Sequence, residues 1–147
     1  MTRPLPPTQP LSDTVFVAAR QIMPEDVAEL ADCGVVMIVN NRPDGEEEDQ
    51  PPAATIEAAA RAAGMDYRHI PVAETFSSDK VAALGEALAG AGGNVVLFCR
   101  SGTRSAYLWA LARARQGADV DELVFRARQA GYNLRPLLPW LTGEAGA

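Results

Sequence analysis

Two unbroken apolar runs stand out along the chain: GVVMIVN at 34–40 and NVVLFC at 94–99. β-Branched runs without polar alternation belong to strands covered on both faces, so both are expected in the middle of a sheet. TVFVAA at 14–19 and MDYRHIPV at 65–72 predict two more strands. Between and after them, apolar residues recur at helical spacing over 23–34, 53–64, 77–93, 105–117 and 119–131. Pro24 suits the first turn of the earliest helix, Glu25 and Asp26 favour its positive end, and Gly34 and Gly64 stop the first two helices. Residues 41–52 form a loop with an acidic run. Proline-rich residues 1–12 predict an extended tail, and NLRPLLPWL at 133–141 a proline-broken apolar tail. Strands alternating with helices imply an α/β three-layer sandwich: a largely parallel central sheet flanked by helices, in one domain over 13–142. In such folds ligands sit at the carboxyl ends of the strands, where the loop after residue 99 would lie.

Composition narrows the function classes. With 48% hydrophobic and 22% charged residues, 147 residues can hold a core without a metal or a disulfide. A net charge of −6 argues against a general nucleic-acid or anionic-membrane binder, so any anionic ligand needs a local positive pocket. Two cysteines, Cys33 and Cys99, make no disulfide framework and suit a cytoplasmic protein. Signal-peptide and membrane-helix patterns are not expected, because every apolar run is short.

The chemistry concentrates in FCRSGTRSAYLWA, residues 98–110. A strand, a glycine-bearing turn and a helix N-terminus make an anion cradle of backbone N–H groups reinforced by the helix dipole. Gly102 supplies the backbone freedom, and a thiol at the mouth, Cys99, is stabilised as a thiolate nucleophile. Arg104 offers a planar fork for an oxyanion. Arg100, Ser101, Gly102, Thr103 and Ser105 complete the expected substrate-binding loop. The competing reading, a buried structural thiol among surface arginines, leaves the shared geometry of glycine, turn and arginines unused.

The loop resembles two known patterns. Cysteine phosphatases carry H-C-x-x-G-x-x-R-[ST] between a strand and a helix, and rhodanese sulfurtransferases a shorter C-x-x-G-x-x loop. Here Cys99 and Gly102 are in register with both, but Arg104 comes one residue early for a phosphatase and Phe98 replaces the histidine. Together, GVVMIVNNRPDGEE, DYRHIPV, FCRSGTRSAYLWA and AGYNL resemble the phosphatase-like domain of beta-lactamase hydrolase-like proteins, over most of residues 11–141. The resemblance implies a cysteine-phosphatase-like, dual-specificity-type fold with a rhodanese-sized active loop. It also implies a setting of sulfide and persulfide metabolism, in which a metallo-beta-lactamase-type persulfide dioxygenase is a partner.

Other residues carry two readings each. Asn40, Asn41, Arg42 and Asp44 follow a central strand: either a second substrate loop with Arg42 as an anion ligand, or polar turn chemistry. Glu46, Glu47, Glu48 and Asp49 read as a solvated loop rather than a metal site. Glu74 stands where dual-specificity phosphatases place an aspartic acid, so it is either a general acid or an exposed loop glutamate. His69 reads as a strand histidine rather than a catalytic base, Cys33 as buried and inert, and Leu108 and Trp109 as core.

Three functions follow as expectations. The shortened loop points to sulfur transfer, with Cys99 carrying a persulfide taken from a small anionic sulfur donor such as glutathione persulfide or thiosulfate. The alternative is hydrolysis of a phosphate ester through a cysteinyl-phosphate. The third is a non-catalytic anion-binding or adaptor domain. No metal or organic cofactor is implied.

Overall fold

The computed structural model describes residues 5–143. Five strands form one sheet: β1 (Thr8–Pro10), β2 (Val15–Ala18), β3 (Val35–Asn40), β4 (Asp66–His69) and β5 (Asn94–Phe98), in the order β1-β2-β5-β3-β4. β1 is antiparallel to β2, and every other pairing is parallel. The two unbroken apolar runs are the central strands β5 and β3, as their patterning predicts.

The helices are α1 (Pro24–Asp32), α2 (Ala53–Ala62), α3 (Ser78–Ala89), α4 (Thr103–Arg115), α5 (Val120–Gln129) and the short α6 (Leu138–Leu141), which follows a 3-10 turn at Arg135–Leu137. The side chains of β5 alternate between two cores. Val96 and Phe98 pack with Val27 and Leu30 of α1 and Ile56 and Ala60 of α2. Val95 and Leu97 pack with Leu84 of α3, Leu108 and Trp109 of α4 and Leu123 of α5. The result is the expected three-layer sandwich, with Leu108 and Trp109 in the core.

Three segments depart from their sequence reading. Residues 8–10 of the expected tail are an edge strand, and Leu11 is fully buried, because the proline-rich segment is already extended and its carbonyls can pair with β2. The apolar stretch 133–141 folds back as the 3-10 turn and α6, burying Leu134, Leu137 and Leu141. α4 begins at Thr103, two residues before the predicted 105, since Gly102 serves as its cap in place of a serine. Among the described residues no helix is long and apolar enough to cross a membrane.

The strand order positions the site. β5 enters the sheet last but lies between β2 and β3. Its carboxyl end, and the loop that follows, is therefore flanked by the carboxyl ends of both neighbours, the crevice where parallel sheets bind ligands.

Candidate active site

Cys99 leaves β5 buried, 1% exposed, and its Sγ accepts a hydrogen bond from the Gly102 N–H at 3.1 Å. Gly102 caps α4 with φ +94°, a left-handed conformation open to glycine. A β-carbon there would lie 2.1 Å from Tyr132 Oη and 2.9 Å from the Ala18 carbonyl oxygen. Tyr132 Oη donates to the Ser101 carbonyl at 2.9 Å, so the phenol roofs the loop and ties it down. Burial pushes the Tyr132 phenol up from its ordinary pKa, and negative charge at Cys99 acts in the same direction.

Arg104, in the first turn of α4, reaches across to two other segments. Its Nη1 donates to Glu46 Oε2 and to the Val72 carbonyl, both at 2.7 Å, and its Nη2 to Glu46 Oε1 at 2.9 Å. Glu46 therefore grips one edge of the guanidinium fork. Of the five guanidinium N–H groups, these bonds take three, and the remaining pair, on Nε and Nη2, forms the other bidentate edge. The Glu46 hydrogen bond holds the Arg104 pKa above its ordinary value against the opposing effect of burial, and charge and hydrogen bonding at Cys99 reinforce it. The arginine thus lies against the sulfur, permanently charged, with one edge fixed by Glu46 and Val72 and the other turned to Cys99.

Glu46 is one link of a chain of alternating charge. Its Oε1 also accepts from Arg42 Nε at 3.0 Å. Arg42 in turn donates to Gln21 Oε1 and Glu47 Oε1, each at 2.8 Å, and Glu47 Oε1 pairs with Arg100 Nε at 2.9 Å. Hydrogen bonding from Arg104 first, then from Arg42, holds the Glu46 carboxyl below the usual range despite partial burial. Two expectations are corrected here. The acidic run is not simply solvated, because Glu46 and Glu47 are bonded to arginines. Arg42 is not a ligand-facing cation: it is buried, and its guanidinium is directed at Gln21, Glu46 and Glu47.

Asn40, Asn41 and Ser105 are buried polar joints. Asn40 Oδ1 accepts from the Arg42 N–H at 2.9 Å, and its amide donates to Tyr67 Oη at 3.0 Å. Asn41 donates to the Ile70 carbonyl at 2.9 Å and accepts from the Ser105 hydroxyl at 2.7 Å. Asn41 and Ser105, expected as substrate contacts, instead join the end of β3 to α4 beneath the cradle. His69 Nε2 lies 2.9 Å from the Arg42 carbonyl oxygen, which makes it part of the same scaffold. Ser101 and Thr103 remain exposed on the loop with their hydroxyls 3.3 Å apart, and Arg100 is exposed beside them. Glu46, Glu47, Arg100 and Arg104 line a mouth of about 380 Å³.

Two residues fall elsewhere. Glu74 is exposed and lines a neighbouring groove, not this mouth. Cys33 is exposed rather than buried, because it caps α1 in the turn before β3. That places it at the opposite end of the sheet from Cys99, about 16 Å of strand away, too far to resolve a Cys99 intermediate. Sequence reasoning missed the partners that complete the cradle, Glu46 and Tyr132. The only signal for either was its place within NNRPDGEE or AGYNL.

The fold and site find close counterparts. Residues 10–116 match the family model described as beta-lactamase hydrolase-like protein, phosphatase-like domain. The beta-lactamase hydrolase-like protein of Xylella fastidiosa (strain Temecula1) is 37% identical over 114 residues, which is 76% of this chain and 26% of that protein. The corresponding protein of Agrobacterium fabrum (strain C58) is 35% identical over 134 residues, 88% of this chain and 30% of that protein. The chain thus spans only a fraction of these relatives' length. A crystal structure of a candidate phosphatase from Neisseria meningitidis z2491 superposes with a TM-score of 0.78 at 33% identity, covering 92% of this chain and 96% of that one. The kinase associated phosphatase shares the fold alone, with a TM-score of 0.68 at 14% identity over 88% of this chain and 86% of that one.

Proposed function

Because the chain belongs to the family of phosphatase-like domains of beta-lactamase hydrolase-like proteins, we propose that it hydrolyses phosphate esters through Cys99, the alternative rather than the first of the sequence expectations. The observation that carries this reading is the Arg104 fork, held by Glu46 on one edge and turned to the sulfur on the other. An oxyanion bound to that second edge and to the amides of the α4 N-terminus stands in front of Cys99.

The steps follow from these groups. The Cys99 sulfur attacks phosphorus, the P–O ester bond breaks, and the alcohol leaves with its electron pair and takes up a proton from solvent. Water then attacks the cysteinyl-phosphate, the S–P bond breaks, and inorganic phosphate departs as the sulfur regains its electron pair. Arg104 and the loop amides stabilise the charge that builds on the equatorial oxygens. Glu46 is held ionised by two arginines and serves as a poor acid, so leaving groups of low pKa, such as phenols, are favoured over alkyl alcohols. Two free cysteines suit a reducing, cytoplasmic setting for such a nucleophile.

The test is turnover of 4-nitrophenyl phosphate by the wild type, Cys99→Ser and Arg104→Ala, with vanadate as inhibitor. The reading expects vanadate-sensitive turnover that both substitutions abolish; a folded wild type that releases no phosphate from a broad ester panel would sink it. One observation favours a second reading, sulfur transfer. Only Arg100 to Thr103 separate Cys99 from Arg104, one residue fewer than in the phosphatase motif, and α4 already begins at Thr103. Mass spectrometry after exposure to thiosulfate or glutathione persulfide separates the two, since only a transferase gains one cyanide-labile sulfur at Cys99.

A further inference from the structure

We infer that a second site, a groove along α4, takes the apolar organic body of the substrate whose oxyanion the Cys99 loop holds. This inference rests on the hydrolase reading and extends it to the class of ester. The groove has a volume of about 890 Å³ and runs between the 74–78 segment, the outer face of α4 and residues 137–143. No residue of the Cys99–Arg104 loop lines it, so it is a separate cavity.

Its closeness to the cradle follows from two hydrogen bonds. At one end Arg104 donates to the Val72 carbonyl at 2.7 Å; at the other Arg115 donates to the Ser78 carbonyl at 3.2 Å. The segment from Val72 to Ser78 therefore runs alongside α4, from the arginine of the cradle to the last turn of the helix. Arg104, Tyr107, Leu111 and Arg115 follow one another at steps of three, four and four residues, so they share one helix face. Eleven residue steps of helix separate the two arginines, a run of about 16 Å. The groove starts at Glu74 and Tyr107, one helical turn beyond Arg104, and continues for the length of a two- or three-ring molecule.

The lining sets the chemistry of the occupant. Phe76 and Tyr107 both line the groove and pack on each other, with ring centroids 6.0 Å apart and planes at 45°. Leu111, Leu137 and Leu141 add aliphatic surface, and Trp140 stands 56% exposed at the rim, an apolar surface that a ligand would cover. Tyr107 Oη donates to the Asn133 carbonyl at 2.9 Å, which fixes that ring as a rigid part of the wall. A volume within the range of small-molecule sites, aromatic walls and one end a helical turn from the arginine of the cradle fit an elongated aryl ester. A bare anion or a compact polar metabolite would leave this surface unused.

The test uses three probes on the folded Cys99→Ser protein: inorganic phosphate, phenyl phosphate and biphenyl-4-yl phosphate. Binding is read by calorimetry and by Trp fluorescence. The biphenyl ester is expected to bind at least about tenfold more tightly than the phenyl ester, because its second ring is buried in the groove. Trp140→Ala and Leu111→Glu should each erase that advantage and leave phenyl phosphate binding unchanged. Trp140 is exposed, so its variant tests the groove even if Leu111→Glu fails to fold. Equal affinity for both esters, with binding still dependent on Arg104, overturns the groove assignment and leaves the hydrolase reading standing. Failure of all three probes to bind overturns both.

Discussion

Gly102→Ala is the sharpest perturbation of the cradle. The added β-carbon would lie 2.1 Å from Tyr132 Oη, 2.8 Å from Tyr132 Cζ and 2.9 Å from the Ala18 carbonyl oxygen, in a residue at φ +94°. The left-handed backbone alone costs an alanine about 1–2 kcal/mol. Displacing the phenol breaks its bond to Ser101, worth about 1 kcal/mol, and the crowding against Ala18 adds about 1–3 kcal/mol, because a backbone carbonyl cannot swing aside. The total, about 3–6 kcal/mol, is a large part of the stability of a domain of this size. Urea denaturation of wild type, Gly102→Ala, Tyr132→Ala and the double variant measures it. The double variant should be more stable than the sum of the single losses predicts, by about 1–2 kcal/mol, since the ring that collides is gone. Oxyanions should raise the melting temperature of the wild type and not of Gly102→Ala. A loss below about 1 kcal/mol, or strict additivity of the two substitutions, would refute the contact geometry argued here.

Other expectations test neighbouring parts of the site. The Glu46 carboxyl has a folded-state pKa depressed below 4.5, so its contribution to stability is present above that pH and is lost as pH falls through the lower folded value. Glu46→Gln should therefore flatten the stability profile in that acid window, measured as melting temperature from pH 3 to 6, and also weaken phosphate binding by loosening Arg104. Asn41→Ala strands the buried Ser105 hydroxyl and the Ile70 carbonyl, and should cost about 2–3 kcal/mol in urea denaturation. Tyr132→Phe removes only the hydroxyl bond to Ser101, so the loss of stability should be about 1 kcal/mol. In a Cys33→Ser background, the same change should speed iodoacetamide alkylation of Cys99 several-fold by freeing the loop, and an unchanged rate would assign Tyr132 no part in holding it.

What was legible in the sequence was whatever depends on near neighbours. The two central strands declared themselves by unbroken β-branched runs, and the strand, glycine and helix around Cys99 by spacing within ten residues. The partners of those residues were not legible. Glu46 meets Arg104 across 58 positions, and an acidic run in a polar turn reads as solvated until the fold brings cations to it. Arg42, Asn41 and Ser105 look like surface or ligand chemistry because polar residues are usually exposed, whereas here they satisfy one another in the interior. Tyr132 follows a helix-ending glycine, and only the return of that segment over the loop shows its use. β1 escaped notice because three residues ending in proline carry almost no strand pattern.

That short strand has a consequence for the rest of the sheet. The family match begins at residue 10, so most of β1 lies outside it, yet Thr8, Gln9 and Pro10 pair with Ala18, Val17 and Phe16. Without them β2 would present an unpaired apolar margin, the kind of template on which a second chain adds itself as a strand. Pro10 has no N–H to offer outward, and at the far margin β4 carries Asp66, Arg68 and His69. Both borders of the sheet thus discourage growth, and the three residues of β1 cover the margin on which a second chain could add itself.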